Sequence, residues 1–499
     1  MPKTEWGAIK RFKRAMSISA ILKKINTVSK KNKTPIYIVG GFVRDFLLGK
    51  NEKKDIDFVV AGSGLAFAKD FDKAMKEAGS LVEFPDFDTA RYVIGEGEEQ
   101  IVLEFAGARS EKYDAKSRKP KVETATLADD LSRRDFTVNA MAVPVSVFAG
   151  AKPPTLTVVK KEIIDLFDGQ NDIKNKILRT PLSPDKTFSD DPLRMMRAVR
   201  FASQLQFAID PKTLKSIYEN KERLKIISAE RIAEELFKLL ACPLPSIGLS
   251  MMFQTHLLDF VLPEVVKLDG VEEIFGHQHK NNLVHTFKVV DNIAERSDKT
   301  MLRLAGLLHD IGKPQTKEFV AKIGWTFYQH EHVGKKLVYK IGQRLRFSKN
   351  DTDYLAKLIR WHQQPISLMD EGITDSAVRR LIVSLGDELD DLLILGRSDI
   401  TTGNPLKKEK RLHNYDRLEK RIAEVIEKDK LRAFQSPLRG DEIMKLSGLK
   451  PGPTVGKIKT AIEEAILDGV LPNDYKAAKK YFAEIKDKYL AQAQDWEKL

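Results

Sequence analysis

The first 160 residues alternate short apolar runs with helical repeats, and the rest of the chain is helical almost throughout. Ile36-Tyr37-Ile38-Val39 is short, apolar and β-branched, and Gly40-Gly41 follows it. Val43, Phe46 and Leu47 then fall at helical spacing before Gly49. This order predicts a strand, a tight glycine turn and a helix. A second strand is expected over 55–60, then a helix over 65–78 stopped by Gly79, then strands over 81–84, 90–94 and 101–105. From Pro192 onward, apolar residues repeat at helical spacing through 193–207, 232–240, 302–308 and 355–359. Breaks at Pro243-Leu244-Pro245, Gly403-Asn404-Pro405 and Ser436-Pro437 divide this helical part. The organisation expected is a helical arm over 1–33, an α/β head over 34–160, a helical neck over 161–245, a helical body over 246–435 and a helical tail over 436–499. The fold class is multidomain α+β, a mixed sheet with helices followed by an all-α remainder. No internal repeat is present.

Composition narrows the class. At about 150 residues per domain, a chain of 499 residues is long enough for several cores. Hydrophobic residues at 42% and charged ones at 31% are a globular mix, which excludes a disordered or collagen-like chain. Lys and Arg total 84 against 71 Asp and Glu, a formal charge of +13 that favours a polyanionic partner. A single cysteine, Cys242, excludes a disulfide framework and cysteine-based zinc sites. No apolar run approaches the roughly 20 residues that span a bilayer, so a cytoplasmic protein without a membrane partner is expected. Residues 1–24 alternate Lys10, Arg11, Lys13 and Arg14 with Met16, Ile18, Ile21 and Leu22, which reads as an amphipathic helix packed on the body.

The chemistry begins in Asp55-Ile56-Asp57. Side chains alternate along a strand, so the two carboxylates project from one face. Paired hard oxygen donors suit Mg²⁺, and two such ions about 4 Å apart activate an attacking hydroxyl while neutralising a leaving pyrophosphate. Glu104 is the only charge in Ile101-Val102-Leu103-Glu104-Phe105 and is the natural third carboxylate. Ahead of the aspartates, Gly40-Gly41 lets backbone N–H groups approach phosphate oxygens, and Arg44 offers a guanidinium fork.

The order Gly40-Gly41, Arg44-Asp45, Leu47-Leu48-Gly49, Asp55, Asp57 resembles the signature of the class II tRNA nucleotidyltransferase and bacterial poly(A) polymerase family, within the polymerase-β-like superfamily. The remaining motifs follow in order. Arg133-Arg134-Asp135-Phe136-Thr137 with Asn139-Ala140-Met141-Ala142 is similar to the family's ribose-binding motif, and Asp165-Leu166, Asp168-Gly169, Asp172, Ile177 and Arg179 to its hinge. Asp191-Pro192-Leu193-Arg194, continuing through Arg197, Arg200 and Phe201, resembles the base-reading motif, and Glu230-Arg231-Ile232 with Glu235 a neck-stabilising element. Where the family has Glu-Asp, this chain has Asp190-Asp191; the base-pairing member is the second, so base choice is expected to be little affected.

The resemblance implies that Asp55, Asp57 and Glu104 are catalytic and hold Mg²⁺. It implies that Gly41, Arg44, Arg133, Arg134, Asp191, Arg194, Arg197 and Arg200 bind the nucleotide. It further implies template-independent addition of C, C and A to the 3′ end of tRNA from CTP and ATP. The alternatives within the family are a poly(A) polymerase and a CC-adding or A-adding half-enzyme.

Base choice has a chemical logic. Asp191, Arg194 and Arg197 are spaced by three and are expected along one helix face. Cytosine and adenine each offer an amino donor beside an unprotonated ring nitrogen, which matches a carboxylate acceptor next to a guanidinium donor. Guanine and uracil offer the reverse and would leave buried polar groups unpaired, at about 1 to 3 kcal/mol each.

A second constellation lies in the helical body. Leu307-Leu308-His309-Asp310-Ile311-Gly312-Lys313 ends an apolar helical run with a His-Asp doublet, and His285, His330, His362 and Asp399 flank it in sequence. This resembles the HD phosphohydrolase superfamily. The pattern implies that His285, His309, Asp310 and Asp399 hold one divalent metal and that His330 and His362 hold a second. Imidazole with carboxylate suits Mn²⁺, Ni²⁺, Co²⁺ or Fe, and a water bound there is acidified into a nucleophile, so a phosphohydrolase activity is expected. His256, His277, His279 and His413 read as packing or surface residues, and His332 is assigned to neither set. In the tail, Gly448-Leu449-Lys450-Pro451-Gly452-Pro453 opens a helix near Thr454, where Lys450, Lys457 and Lys459 offer an RNA-backbone contact. Lys116, Arg118, Lys119 and Lys121 read as a loop beside the first site.

Overall fold

Local sequence shapes the start of the head as expected. Strand β1 (Ile36–Val39) runs into Gly40, whose φ of 72° and ψ of −136° are open only to glycine, and helix α2 (Gly41–Leu47) follows. The structure is a computed structural model that describes residues 17–50, 54–114, 117–271, 273–274, 277–278, 281–321, 323–369, 374–429 and 436–498. The chain divides into two compact units, Met1–Leu239 with Ile247–Val261, and Leu240–Ser246 with Leu262–Leu499.

The first unit is built on a seven-stranded sheet ordered β3-β4-β5-β2-β1-β8-β9. Its strands are β2 (Asp55–Val60), β3 (Ser80–Phe84), β4 (Thr89–Ile94), β5 (Ile101–Gly107), β8 (Met141–Pro144) and β9 (Ile164–Asp165), beside β1. Strands β2 and β5 are parallel and the other neighbours antiparallel, so the sheet is mixed. Helices α1 (Ile18–Asn32) and α3 (Gly64–Met75) join Ile38, Ile56, Phe58, Leu103 and Phe105 in one large core. Alternation sends Asp55, Asp57 and Val59 to the opposite face, where Val39, Val59, Ala108, Leu131 and Ala142 form a second, smaller cluster. One face of the sheet is thus spent on the core and the other carries the acids.

Three expectations change. The first helix buries Ile21, Leu22, Ile25 and Val28 in the head's own core, so it is part of the head; residues 1–16 of the expected amphipathic segment lie outside the described ones. Helix α3 ends at Met75 because Lys76 and Glu77 are left-handed, not because of Gly79. Gly79 serves a close approach instead: its N–H donates to the Tyr92 hydroxyl at 2.9 Å, and a Cβ there would strike the Tyr92 ring. Finally, the basic stretch expected as a loop is an antiparallel hairpin of β6 (Arg109–Asp114) and β7 (Ser117–Thr124); Lys116 lies outside the described residues.

The second unit is almost entirely helical, with α7 (Asn282–Ala294), α8 (Thr300–Leu308), α9 (His330–Leu345), α10 (Lys349–Trp361) and α11 (Leu389–Ser398) surrounding the His-Asp doublet. Its C-terminal helices enclose a separate cluster around Leu438, Ile443, Ile458, Ile462 and Phe482. Among the described residues no helix is long and apolar enough to cross a membrane.

Candidate active site and metal centre

The register of the sheet assembles the first site. Asp57 pairs with Val39 of β1 on one side and with Glu104 of β5 on the other, so Asp57 and Glu104 leave the same face from adjacent strands. Asp55 and Asp57 are both exposed. Glu104 already has a partner, the Arg91 guanidinium at 3.2 Å. Its oxygens and those of the two aspartates do not converge: among the described residues, three-residue groups with ligand atoms within 4.8 Å of one another occur only in the second unit. Two carboxylates on a rigid strand still fit Mg²⁺, which keeps several waters and takes the rest of its shell from substrate phosphates.

Gly40 is the floor of this site. A Cβ built on it would lie 3.2 Å from Arg134 Nη1 and 3.3 Å from Asp57 Oδ2, which places the turn, the guanidinium and the acid together. Within the Gly40-Gly41 pair expected as the turn, Gly40 has the positive φ and Gly41 is the first helical residue.

Arg133 and Arg134 are aimed by a residue that sequence reasoning missed. Asp130, at the end of helix α4 (Leu127–Ser132), is fully buried; its Oδ1 accepts from Arg133 Nε and Nη2 at 3.0 and 2.5 Å, and its Oδ2 from Arg134 Nε and Nη2 at 3.3 and 3.1 Å. Burial opposes the charge on Asp130, but Arg134 and Arg133 outweigh it and hold its carboxyl below the usual range. The legible signal was its spacing of three and four residues from the two arginines. Asp130→Ala would remove the buried carboxylate that both guanidiniums share. A loss of roughly 3 kcal/mol in unfolding free energy is expected from urea titration at pH 7. Because the folded carboxyl titrates below the unfolded one, this difference is complete above about pH 4 and shrinks as pH falls further.

Arg44 departs from the expected role. It is 2% exposed, with Nε on Asp45 Oδ1 at 2.8 Å and Nη1 on Asn139 Oδ1 at 2.7 Å, so it is a buried strut and no open fork for phosphate. Arg200 departs likewise: it is buried, with Nε on Glu235 Oε2 at 2.7 Å and its guanidinium stacked 4.0 Å from the Phe201 ring.

The base-reading stretch differs in one detail. Asp191 is not on the helix with Arg194 and Arg197. It is extended, at φ −138° and ψ 98°, because Pro192 disfavours helical backbone in the residue before it. Asp191 Oδ1 instead accepts the N–H of Leu193, the first residue of α5 (Leu193–Leu205), at 3.2 Å, and Oδ2 lies 3.4 Å from Arg231 Nη2. Its backbone carbonyl accepts from Arg194 N at 3.0 Å, so the acid and the Arg are still neighbours at one helix start. Arg197 is bound through Nε and Nη2 to Asp135 Oδ2 at 2.9 and 2.6 Å. Burial resists the charge on Asp135, but Arg197 dominates and holds its carboxyl well below the usual range.

In the second unit the expected donors come together. His285 on α7, His309 and Asp310 after α8, His330 at the start of α9, His362 after α10 and Asp399 after α11 meet as two groups: His285, His309 and Asp399, and Asp310, His330 and His362. Asp310, expected in the first set alone, faces both. Its Oδ2 lies 3.2 Å from His309 Nε2 and 3.7 Å from His285 Nε2, and its Oδ1 lies 3.4 and 3.9 Å from the Nε2 atoms of His330 and His362.

Helix ends explain the aim of the imidazoles. His309, His330 and His362 place Nδ1 within 2.7 to 2.8 Å of the carbonyls of Gly306, Phe327 and Ile359, each three residues earlier. A carbonyl only accepts, so Nδ1 carries the proton and Nε2 faces inward as a ligand. His285 Nδ1 is tied to Thr401 Oγ1 at 2.7 Å. His309 Nε2 is buried and makes no hydrogen bond of proper geometry despite the carboxylates around it, as a ligand atom waiting for a cation would be. Burial opposes a charge on His309, but Asp310 and Asp399 push it up to about 10, while burial and the charge of His309 pull His362 down to about 3. The centre therefore draws positive charge to the His309 side. This donor set fits a divalent transition metal. His332 is half-exposed and outside both groups, and the side chain of His277 and all of His279 lie outside the described residues.

The tail helix start is already filled. Glu497 Oε1 accepts from Thr454 N at 2.9 Å, so the chain's own carboxylate caps this helix.

Comparison with known proteins agrees with this architecture. Residues 36–179 match the poly A polymerase head domain, 206–268 the probable RNA and SrmB-binding site of polymerase A, and 282–392 the HD domain. A multifunctional CCA protein of Neisseria meningitidis is 34% identical over 336 residues, covering 65% of this chain and 72% of that protein. A CC-adding tRNA nucleotidyltransferase of Thermus thermophilus is 30% identical over 448 residues, covering 86% and 89%. The crystal structure of the Bacillus stearothermophilus CCA-adding enzyme in complex with CTP shares the fold, with a TM-score of 0.63 at 22% identity over 96% of this chain and 100% of that one. A polymerase-type nucleotidyltransferase head joined to an HD-type helical unit is the class these features define. The chain belongs to the tRNA nucleotidyltransferase family.

Proposed function

We propose that this chain completes the 3′ end of tRNA in the cytoplasm, adding C, C and A in turn from CTP and ATP with Mg²⁺ at Asp55 and Asp57. The observation that carries the reading is the meeting of Asp57, the Gly40 turn and Arg134 on the open face of the sheet, in a chain where the backbones of Asp191 and Arg194 are hydrogen-bonded at the start of α5. Mg²⁺ bound there supplies charge neutralisation for the attacking hydroxyl and the leaving pyrophosphate. Arg133 and Arg134, held by Asp130, orient ribose and phosphate. Asp191 and Arg194 present an acceptor and a donor to the base edge, which cytosine and adenine both satisfy. Glu104 supports the site as the third carboxylate, balanced by Arg91.

The test gives the protein tRNAs ending at the discriminator base, at C and at CC, with each nucleotide singly and together, and sizes the products. Growth by C, C and A that then stops supports the reading, and long A tails overturn it in favour of a poly(A) polymerase. Stopping at CC is the second reading, which the Thermus relative favours; incorporation of A onto CC ends alone identifies an A-adding enzyme. In the same assay Arg194→Ala should lose discrimination against UTP and GTP by about tenfold or more, with primer binding unchanged. We further propose that the HD-type centre hydrolyses a phosphate ester, on the strength of two donor groups, one containing Asp310 and the other with both imidazoles within 3.7 Å of its second oxygen.

A further inference from the structure

The head and the base-reading helix are joined by one continuous polar row. Asp45 Oδ1 accepts from Arg44, Arg44 Nη1 donates to Asn139 Oδ1 at 2.7 Å, and Asn139 Nδ2 donates to Asp135 Oδ1 at 3.0 Å. Asp135 Oδ2 holds Arg197, whose Nη1 lies 3.6 Å from Glu235 Oε1, and Glu235 Oε2 accepts from Arg200. The row starts on α2, beside the Gly40 turn, reaches α5 at Arg197 and returns to α5 at Arg200 through Glu235 of helix α6 (Ala229–Leu240). Phe201 is its spine: the guanidiniums of Arg44, Arg197 and Arg200 lie 5.2, 5.4 and 4.0 Å from the ring centre, and the Phe136 ring meets it edge-on at 5.7 Å.

Nearly all of these groups are buried, and a row of buried charges is a poor source of stability, since apolar residues of the same volume hold a fold as well. What such a row does well is fix geometry, because each ion pair and each ring face tolerates little rotation. It links the two elements a nucleotide must reach at once: α2, where the Arg44 N–H donates to the Gly40 carbonyl at 3.2 Å beside Asp57 and the phosphates react, and α5, at whose start the base is read.

We propose that Asn139 and Phe201 are positioning residues that couple base selection to phosphate placement, a role that rests on the transferase reading above. Neither touches the nucleotide in this scheme. Asn139 sets the angle between α2 and Asp135, and Phe201 holds Arg197 and α5 against Arg44. A base that fits Asp191 and Arg194 then brings its α-phosphate to the acids, whereas a poorly fitting base does not.

The experiment compares wild type, Asn139→Ala, Phe201→Met and Phe201→Tyr as full-length chains, with thermal melting as the folding control. Steady-state KM and kcat are measured for CTP and ATP, together with misincorporation of UTP and GTP. Asn139→Ala and Phe201→Met should each raise KM and misincorporation by about tenfold while kcat falls less than threefold, and Phe201→Tyr, which keeps the ring face, should restore both. Lowered melting temperatures with KM and misincorporation at wild-type values would overturn the proposal and leave the row purely structural. Should Phe201→Met not fold, Asn139→Ala alone decides. If wild type extends no tRNA, the transferase reading fails by itself; equilibrium dialysis of CTP and ATP then tests the coupling, with unchanged affinity in the variants overturning it and about tenfold weaker binding supporting it.

Discussion

Asp57→Asn should reduce nucleotide incorporation on the order of a thousandfold or more while leaving the fold intact. The substitution keeps the size of the side chain and removes only its charge. Asp57 lies on the open face of the sheet, so its replacement disturbs none of the apolar contacts that Ile56 and Phe58 make on the other face. What is lost is a hard anionic donor beside the Gly40 turn. Glu104→Gln, measured in parallel, should cost less, because Glu104 is balanced by Arg91 and its oxygens do not converge with those of the aspartates. Single-turnover extension of tRNA at saturating CTP checks both. Activity of Asp57→Asn within tenfold of wild type would mean that the chemistry lies elsewhere.

The part of this site written in local sequence was readable. A β-branched run followed by two glycines has few alternatives, and a period of two places Asp55 and Asp57 on one face wherever the strand sits. The six donors of the second unit were readable through their motif, although nothing local shows that Asp310 divides its oxygens between two groups. Asp191 is instructive because its departure from the helix follows from Pro192, a one-residue effect that spacing by three conceals. The enclosure of Arg44 and Arg200 was not legible for a different reason. An arginine one turn into a glycine-led helix looks like a phosphate fork until Asn139, 95 residues away, and Asp45 are seen to enclose it. Burial of that kind is decided by tertiary packing, as is the close approach of Gly79 to Tyr92, which looked in sequence like a helix stop.

Asp310→Ala should empty the half of the metal centre built on His330 and His362 and weaken the half that keeps Asp399, whereas His285→Ala should weaken only one. The difference follows from the two oxygens of Asp310: Oδ2 is directed to His285 and His309, and Oδ1 to His330 and His362. Removing the carboxylate leaves His330 and His362 alone in their group, too few to retain a divalent ion, and takes one anionic neighbour from the other group, which keeps His285, His309 and Asp399. Lys313 Nζ, 2.6 Å from Asp310 Oδ2, would also be left partly buried without this counter-charge, so a folding check by circular dichroism belongs with the measurement. Metal content by elemental analysis after dialysis against Mn²⁺ or Ni²⁺ should fall to less than about half in Asp310→Ala and by a smaller share in His285→Ala, a partial loss expected when one ligand of several is removed. Hydrolysis of p-nitrophenyl phosphate should fall with the metal in Asp310→Ala, while tRNA extension by the head, whose acids belong to the other unit, should persist in both variants. Equal metal in Asp310→Ala and wild type would show that the imidazoles do not hold the ion through this carboxylate. Extension lost along with hydrolysis, in a folded protein, would show instead that the two sites depend on one another.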